Sequence, residues 1–130
     1  MLIDTSGFFC LYDKDAQHHD KAIKLFSGAR SRFTTSYVIA EYVPLAHTRR
    51  VPQSEIIKFS TRILDDTEIE IVWVDEQIHR EAVALIQRRS DKTYSLCDAV
   101  SFVLMRRRKI TDALTTDHHF EQEGFNRLLK

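Results

Sequence analysis

Short segments with strand character alternate with longer segments of helical periodicity from one end of the chain to the other. The segments MLID, RFTTS, EIEIVWV, DALTT and FNRLL predict strands, and the continuous apolar end of EIEIVWV is typical of a strand that is buried on both faces. Strands separated by helices need crossover connections, which make neighbouring strands parallel and place helices on both faces of the sheet. The alternation therefore predicts a three-layer α/β/α fold with a parallel sheet of about five strands.

The helical segments carry start signals. Ser36 is predicted to cap the helix in YVIAEYVPLAH, and Pro44 predicts a kink or an early end of that helix. Pro52 is typical of a first helical residue, and Asp75 and Ser95 are predicted to cap two later helices. Each signal marks a point at which the chain enters a helix.

The composition fits a single domain that spans residues 1–130. Hydrophobic residues make up 43% of the 130 residues, which is enough for one sizeable core. Basic and acidic residues each number 19, so any attraction of an anionic partner must come from local patches. The sequence has no export signal or membrane-spanning run, and its two cysteines have no disulfide or metal spacing. We therefore expect a cytoplasmic protein with no membrane association.

Two acidic residues are predicted at one edge of the sheet. Asp4 ends the first predicted strand, and Asp117 follows the DALTT strand. A carboxylate in such an apolar setting is strongly unfavourable unless a cation, a hydrogen-bond donor or water compensates it. In parallel sheets of this kind, ligands bind just beyond the carboxyl ends of the strands. We therefore expect Asp4 and Asp117 to face a ligand.

Two further acids, Glu41 and Asp98, lie between apolar residues of predicted helices. Like charges that share one cleft repel each other unless a cation neutralises them, and carboxylate oxygens suit Mg²⁺ or Mn²⁺. A bound ion of this kind can activate a water molecule and stabilise the charge that develops on a phosphodiester. The acids together predict a metal-assisted hydrolysis of a phosphate ester.

Each acid also has a purely structural interpretation. Asp98 stands three residues after Ser95, which is the spacing of a capping box, and Asp117 could cap a short helical turn. Asp4 could shape a turn with the residues that follow it, and Glu41 could form a buried ion pair with an arginine. Taken singly, the structural interpretation is stronger for Asp4, Asp98 and Asp117. It is weaker for Glu41, which has no capping role.

Four segments, in order along nearly the whole chain, resemble the PIN-domain ribonucleases and especially the small VapC-type toxins of toxin-antitoxin pairs: LIDTSGF, SYVIAEYVPLA, SLCDAVSFVLM and ALTTDHHF. The resemblance implies an RNA substrate, Mg²⁺ or Mn²⁺ as cofactor and an antitoxin protein as partner. It also implies the acidic quartet that holds the metal and catalyses cleavage, and its supporting hydroxyl residues: Asp4, Glu41, Asp98 and Asp117, with Ser6 and Thr116. The pattern departs from the family at Gly7, Phe8, Phe9 and Pro44, which affects the expected lining of the groove.

The principal hypothesis is a metal-dependent endoribonuclease that acts as the toxin of a toxin-antitoxin pair. Some apolar helix faces are expected to form a homodimer or to receive an antitoxin helix. One alternative is a PIN-like module that binds RNA or protein without cutting. A second alternative is a phosphoacceptor receiver domain, which would need paired acids near the first strand and a late lysine that the sequence lacks.

The remaining charged and sulfur-containing residues give weaker signals. The RRRK run at residues 106–109 and the Arg49–Arg50 pair could contact RNA phosphates, although basic residues also stabilise helix ends. Zinc is not expected at the histidine pairs 18–19 and 118–119, because neighbouring side chains point in different directions. Cys97 is expected to be a small buried residue.

Overall fold

The computed structural model describes all residues from 1 to 130. Its strands are β1 (Leu2–Ile3), β2 (Phe33–Thr35), β3 (Glu70–Val72), β4 (Asp112–Leu114) and β5 (Asn126–Arg127). They form one five-stranded, all-parallel sheet with the order β3-β2-β1-β4-β5. The helices are α1 (Thr5–Tyr12), α2 (His19–Gly28), α3 (Ser36–Thr48), α4 (Gln53–Asp65), α5 (Glu76–Arg88), α6 (Leu96–Arg108) and α7 (His119–Gln122). The α/β/α fold predicted from the alternation is confirmed.

Strand β1 lies in the middle of the sheet. Leu2 pairs with Phe33 of β2 on one side and with Ala113 of β4 on the other. Because parallel strands end at the same edge, the segments that follow β1 and β4 leave the sheet side by side. The topology therefore brings Asp4 and the residues after Leu114 together at the centre of the carboxyl edge.

Each face of the sheet has its own core. Successive strand residues point to opposite faces, so Ile3 and Leu2 belong to different clusters of buried residues. The cluster of 16 residues around Ile3 includes side chains from α1, α3 and α4, and the cluster of 14 around Leu2 includes side chains from α5, α6 and α7. None of these helices is long and apolar enough to span a membrane.

Several predicted helix features are confirmed. Asp75 caps α5 by accepting the Ile78 N–H at 2.8 Å, and Ser95 caps α6 by accepting the Asp98 N–H at 3.0 Å. The inward stripe of α4, which was predicted from its spacing, is buried: Ile56, Phe59 and Ile63. Pro52 lies just outside this helix, which begins at Gln53.

The sequence did not predict helix α1. The one structural alternative considered there was that Asp4 could shape a turn with Thr5, Ser6 and Gly7. The structure starts a helix at Thr5 with Asp4 as the preceding cap residue. A Cβ at Gly7 would stand 2.1 Å from the Leu114 carbonyl oxygen, so this glycine allows α1 to lie directly against β4. It serves close packing rather than a turn.

Helix α3 differs from its prediction at both ends. Its cap is Thr35, whose hydroxyl accepts the Val38 N–H at 3.1 Å, whereas the predicted cap Ser36 accepts the Val74 N–H at 2.9 Å. The predicted early end at Pro44 is wrong, because the helix continues to Thr48. Pro44 lies on the exposed side of the helix, where water can satisfy the carbonyl that loses its partner.

The strand predicted in EIEIVWV is confirmed at Glu70–Val72, but the prediction that it is buried on both faces is wrong, because Glu70 is exposed and Ile71 and Val72 are only partly buried. Only Glu70–Val72 pair with β2, and they form an edge of the sheet. Trp73, just beyond the pairing, is 64% exposed. The apolar run alone could not show that this strand has a neighbour on one side only.

Candidate active site

Asp4 is buried at the centre of the carboxyl edge. It is 5% exposed, and its carboxylate accepts a hydrogen bond from the Thr115 hydroxyl at 3.0 Å. The pKa of Asp4 is raised from 3.8 to about 7, mainly by burial and also by the negative charges of Asp98 and Glu41, against hydrogen bonds from Thr5 and Thr115 that lower it. Asp4 therefore lacks a positive charge that would balance its ionised form.

Glu41 reaches the same place from the middle of α3. One of its carboxylate oxygens accepts the Thr5 hydroxyl at 2.7 Å, and this bond joins α3 to the start of α1. The side-chain atoms of Asp4, Glu41 and Cys97 that could bind a metal ion all lie within 4.8 Å of one another. The arginine ion pair that was the structural alternative for Glu41 is absent, because no basic side chain lies within ion-pair distance of it.

Asp98 has a structural contact and also lines the site. Its carboxylate accepts the Ser95 N–H at 3.0 Å and its own N–H donates to the Ser95 hydroxyl, which completes a capping box at the start of α6. Burial raises the pKa of Asp98 and the charge of Asp117 raises it further, although the hydrogen bonds with Ser95 lower it. The capping interpretation of Asp98 is confirmed, and the same carboxylate also lies close to the charge of Asp117.

Asp117 lies in the loop after β4 and is partly exposed. Its carboxylate accepts the His119 N–H at 2.9 Å, while its own N–H donates to the Thr115 hydroxyl at 3.0 Å. The Ser6 hydroxyl lies 3.0 Å from that of Thr115 and accepts the Thr116 N–H. The hydroxyl that contacts an acid is therefore that of Thr115. The expected Thr116 offers only its backbone to this network.

The four predicted acids and Ser6 line one cleft of about 250 Å³, in which the Thr116 side chain takes no part. The starts of α1 and α6 face this cleft, and the positive ends of their dipoles favour negative charge there. The cleft also contains residues that sequence reasoning did not assign to the site, namely Thr5, Phe9, Leu45, Thr93, Ser95 and His119, together with Arg49, which was only considered as a phosphate contact.

Among these additional residues, His119 lies closest to the acids of the cleft. Its Nδ1 lies 3.1 Å from an Asp117 oxygen and 3.5 Å from an Asp98 oxygen, and its Nε2 lies 3.1 Å from the Thr93 hydroxyl. The rings of His118 and His119 are only 4.4 Å apart, so the expectation that these neighbours point apart is wrong. The tight turn after Asp117 is the signal that could have placed His119 in the cleft.

The basic run at residues 106–109 contributes nothing to the cleft. Arg106, Arg107 and Arg108 each form an ion pair with a glutamate, at Glu123, Glu81 and Glu70 respectively. None of these arginines lines the cleft, whereas Arg49 does and forms no ion pair. The structure therefore favours the stabilising role for the run and leaves Arg49 available to an anion.

The donor set of the cleft fits a divalent cation. Carboxylates of four residues face it, no lysine or arginine forms an ion pair with any of them, and burial keeps the pKa of Asp4 and Asp98 high. Such a group of carboxylates is stabilised by a hard cation with oxygen ligands. The Cys97 thiol lies next to Asp4 and Glu41, but burial and these charges raise its pKa, so it remains a neutral thiol.

Comparisons with known proteins agree with this geometry. A sequence model of the PIN domain matches residues 1–126. Proteins from two strains of Mycobacterium tuberculosis, each described as the 23S rRNA-specific endonuclease VapC20, are 26% identical over 126 residues, which is 96% of this chain and 95% of theirs. The crystal structure of Mycobacterium tuberculosis VapC20, described as a toxin that cleaves the sarcin-ricin loop, has a TM-score of 0.88 and 25% identity, and the match covers 99% of this chain and 98% of that one.

Proposed function

Because this chain belongs to the PIN-domain family, we propose that it is a metal-dependent endoribonuclease that hydrolyses phosphodiester bonds of RNA and serves as the toxin of a toxin-antitoxin pair. The observation that carries the proposal is the convergence of Asp4, Glu41, Asp98 and Asp117 in one cleft with no lysine or arginine paired to them. The similarity to VapC20 over nearly the whole chain supports the same function. It also makes 23S ribosomal RNA the first substrate to test.

We propose that the four acids hold Mg²⁺ or Mn²⁺, which would lower the pKa of a water molecule and stabilise charge on the phosphate. The Thr115 and Thr5 hydroxyls fix the carboxylates of Asp4 and Glu41 in position. Arg49, at the rim of the cleft, attracts a phosphate of the RNA strand. The chain thus supplies the carboxylates that would bind the metal and the hydroxyls that orient them.

The test is cleavage of labelled 23S ribosomal RNA fragments by the purified protein with Mg²⁺, with Mn²⁺ and with excess chelator. We expect cleavage only with a metal, and products with a 5′-phosphate and a 3′-hydroxyl. Asp4→Asn should abolish cleavage, while the matched exposed change Asp15→Asn should leave it intact. Full cleavage in chelator would rule out the metal mechanism. A wild type that cuts no RNA would support the alternative of a silent RNA- or protein-binding module.

The proposed antitoxin has its own test. Expression of this chain alone should slow growth of the host cell, and expression together with its antitoxin should restore growth. Unaffected growth, combined with native complexes that contain only this chain, would argue against a toxin. The single domain, the homodimer and the cytoplasmic location expected from the sequence stay predictions.

A further inference from the structure

A second cavity opens beside the acidic cleft. It lies between α1, α4 and the end of α3 and has a volume of about 360 Å³. Phe9 and Arg49 line both the cavity and the cleft, whereas none of the four acids lines the cavity. The two spaces are therefore adjacent parts of one surface with different chemistry.

Aromatic rings form much of the wall of this cavity. The Tyr42 ring is stacked on Phe59 with centroids 3.7 Å apart, and on Phe9 with centroids 4.8 Å apart. Tyr12, which is 55% exposed, meets Phe59 edge-on at 5.8 Å. Phe59 and Phe9 cover the faces of the Tyr42 ring, so the Tyr12 ring is the aromatic surface that remains open to a ligand. An exposed aromatic ring can stack on a planar group, and every nucleobase offers such a face.

The Tyr42 hydroxyl in the same wall has no hydrogen-bond partner within the chain and is open to solvent. Tyr42 is only 4% exposed and lines the cavity, yet its hydroxyl forms no hydrogen bond within the chain. Water can bond to this hydroxyl in the empty cavity, and an occupant that displaces the water must offer a hydrogen bond of its own or lose that bond. An occupant with a hydrogen-bonding edge would satisfy this hydroxyl, whereas an aliphatic side chain would not.

The charges at the entrance suit an anion. The Arg49 guanidinium lies 4.1 Å from the centre of the Phe9 ring, at the junction of cavity and cleft, and it forms no ion pair. Arg62 lines the cavity and is also without an ion pair, while Lys58 pairs with Glu55 at 3.3 Å. Asp13 is the one acid of the lining without an ion pair, so the basic residues outnumber the acidic ones by three to two. A nucleotide matches this arrangement, because its base is planar and polar at the edge and its phosphate is negative.

We propose that this aromatic pocket, formed by Phe9, Tyr12, Tyr42, Phe59 and Arg49, binds one unstacked nucleobase of the RNA whose backbone is cut in the adjacent cleft. Arg49 holds the phosphate that joins the bound nucleotide to the strand in the cleft. The inference rests on the proposed ribonuclease function and extends it to substrate choice. Its consequence is a base preference at one nucleotide near the cleavage site, set by this pocket.

A binding experiment tests the pocket without any cleavage. The aromatic ring resonances of the wild-type protein are recorded by NMR during titration with each of the four nucleoside 5′-monophosphates, and with ribose 5-phosphate as the matched control. At least one nucleotide should shift the rings of Tyr12, Tyr42 and Phe59, and ribose 5-phosphate should not. Unshifted rings with all four nucleotides would overturn the proposal.

A cleavage experiment tests the consequence for substrate choice. Wild type, Tyr12→Ala and Tyr42→Phe are incubated with a pool of random RNA oligonucleotides, and sequencing of the products gives the base preference at each position around the cut. Tyr12→Ala should cleave about fivefold less or worse, because base stacking on an aromatic side chain contributes roughly that factor or more. Tyr42→Phe keeps its ring but loses the hydroxyl that bonds the base edge, so both variants should lose the base preference at one position. Trp73→Ala removes an exposed aromatic residue outside the pocket and should change neither.

The outcomes separate this inference from the proposed function. If nucleotides shift the pocket rings but wild type cuts no RNA, the pocket is supported as a nucleotide site and the ribonuclease function fails. If wild type cuts RNA and both tyrosine variants keep its base preference and rate, the function stands and the pocket proposal is wrong. Variants that cleave normally but lose a partner protein from the native complex would identify a protein site and would also overturn the nucleobase proposal.

Discussion

Replacing Asp4 by asparagine should stabilise the metal-free protein while abolishing cleavage. The change keeps the shape of the side chain and an oxygen that can accept the Thr115 hydroxyl, but it removes a buried charge. Folding raises the pKa of Asp4 from 3.8 to about 7. A difference of about three pKa units corresponds to about 4 kcal/mol, which is the amount by which the ionised carboxylate opposes folding.

The stability difference between wild type and Asp4→Asn should change with pH in a definite direction. The native state binds a proton at Asp4 more tightly than the unfolded state does, so the wild type loses stability relative to Asp4→Asn as the pH rises from about 4 to about 7. The advantage of the variant should grow by about 1.4 kcal/mol per pH unit in this range and stay constant above pH 7. Below pH 4 the two proteins should be equally stable, because Asp4 is then protonated in both states.

The assay is urea denaturation in excess chelator at intervals from pH 4 to pH 8.5. Asp15→Asn is the control, since Asp15 is exposed and its replacement should change the free energy of unfolding by less than about 0.5 kcal/mol at every pH. Added Mg²⁺ should stabilise the wild type and not Asp4→Asn, because an ion that binds only the native state adds to its stability. An Asp4→Asn variant that is less stable than wild type at pH 8 in chelator, or a difference that does not vary with pH, would refute the reasoning.

Three further predictions concern the fold and the rest of the site. Asp98→Asn should abolish cleavage and raise the melting temperature in chelator, but by less than Asp4→Asn does, because the hydrogen bonds that lower the Asp98 pKa are partly lost. A lower melting temperature with full cleavage would leave Asp98 only its capping role. Gly7→Ala should destabilise by more than about 1 kcal/mol in urea denaturation, because its Cβ meets the Leu114 carbonyl, whereas Gly28→Ala has free space and should be neutral or stabilising. Glu123→Gln should cost about 1 to 3 kcal/mol in the same assay, since the buried carboxylate binds two arginines and a tyrosine; an unchanged midpoint would show that this network contributes nothing.

The sequence predicted the fold because the fold depends on patterns that are local. The alternation of strand and helix segments requires crossovers, and the spacing of Ile56, Phe59 and Ile63 requires a buried face whatever the surroundings are. The start of α5 was equally visible, because Asp75 satisfies a backbone N–H only three residues away. Such signals involve residues that are neighbours along the chain, so they can be recognised without knowing the rest of the structure.

The features that the sequence did not predict depend on contacts between distant parts of the chain. Whether EIEIVWV is central or at an edge depends on the strand order. The position of α1 against β4 depends on the close approach of Gly7 to the Leu114 carbonyl, which lies more than 100 residues away in the sequence. Thr115 was missed for the same reason, because its hydroxyl reaches Asp4 across 111 residues of sequence, while Thr116 does not line the cleft. Neighbouring hydroxyl residues cannot be told apart until the sheet fixes which of them points inward.

The acidic cleft shows why function and stability oppose each other in this molecule. Three of its acids also stabilise local structure: Asp98 completes a capping box, Asp117 accepts the His119 N–H, and Glu41 joins α3 to α1 through the Thr5 hydroxyl. These hydrogen bonds fix the carboxylates in place, yet they do not remove the repulsion between them or the cost of burying Asp4. A neutral side chain at position 4 would therefore satisfy the fold better than ionised aspartate does, and under the proposed function a bound cation would offset this cost. The free energy that the metal-free protein loses at Asp4 would then be available to metal binding, because the proposed ion would relieve the same repulsion.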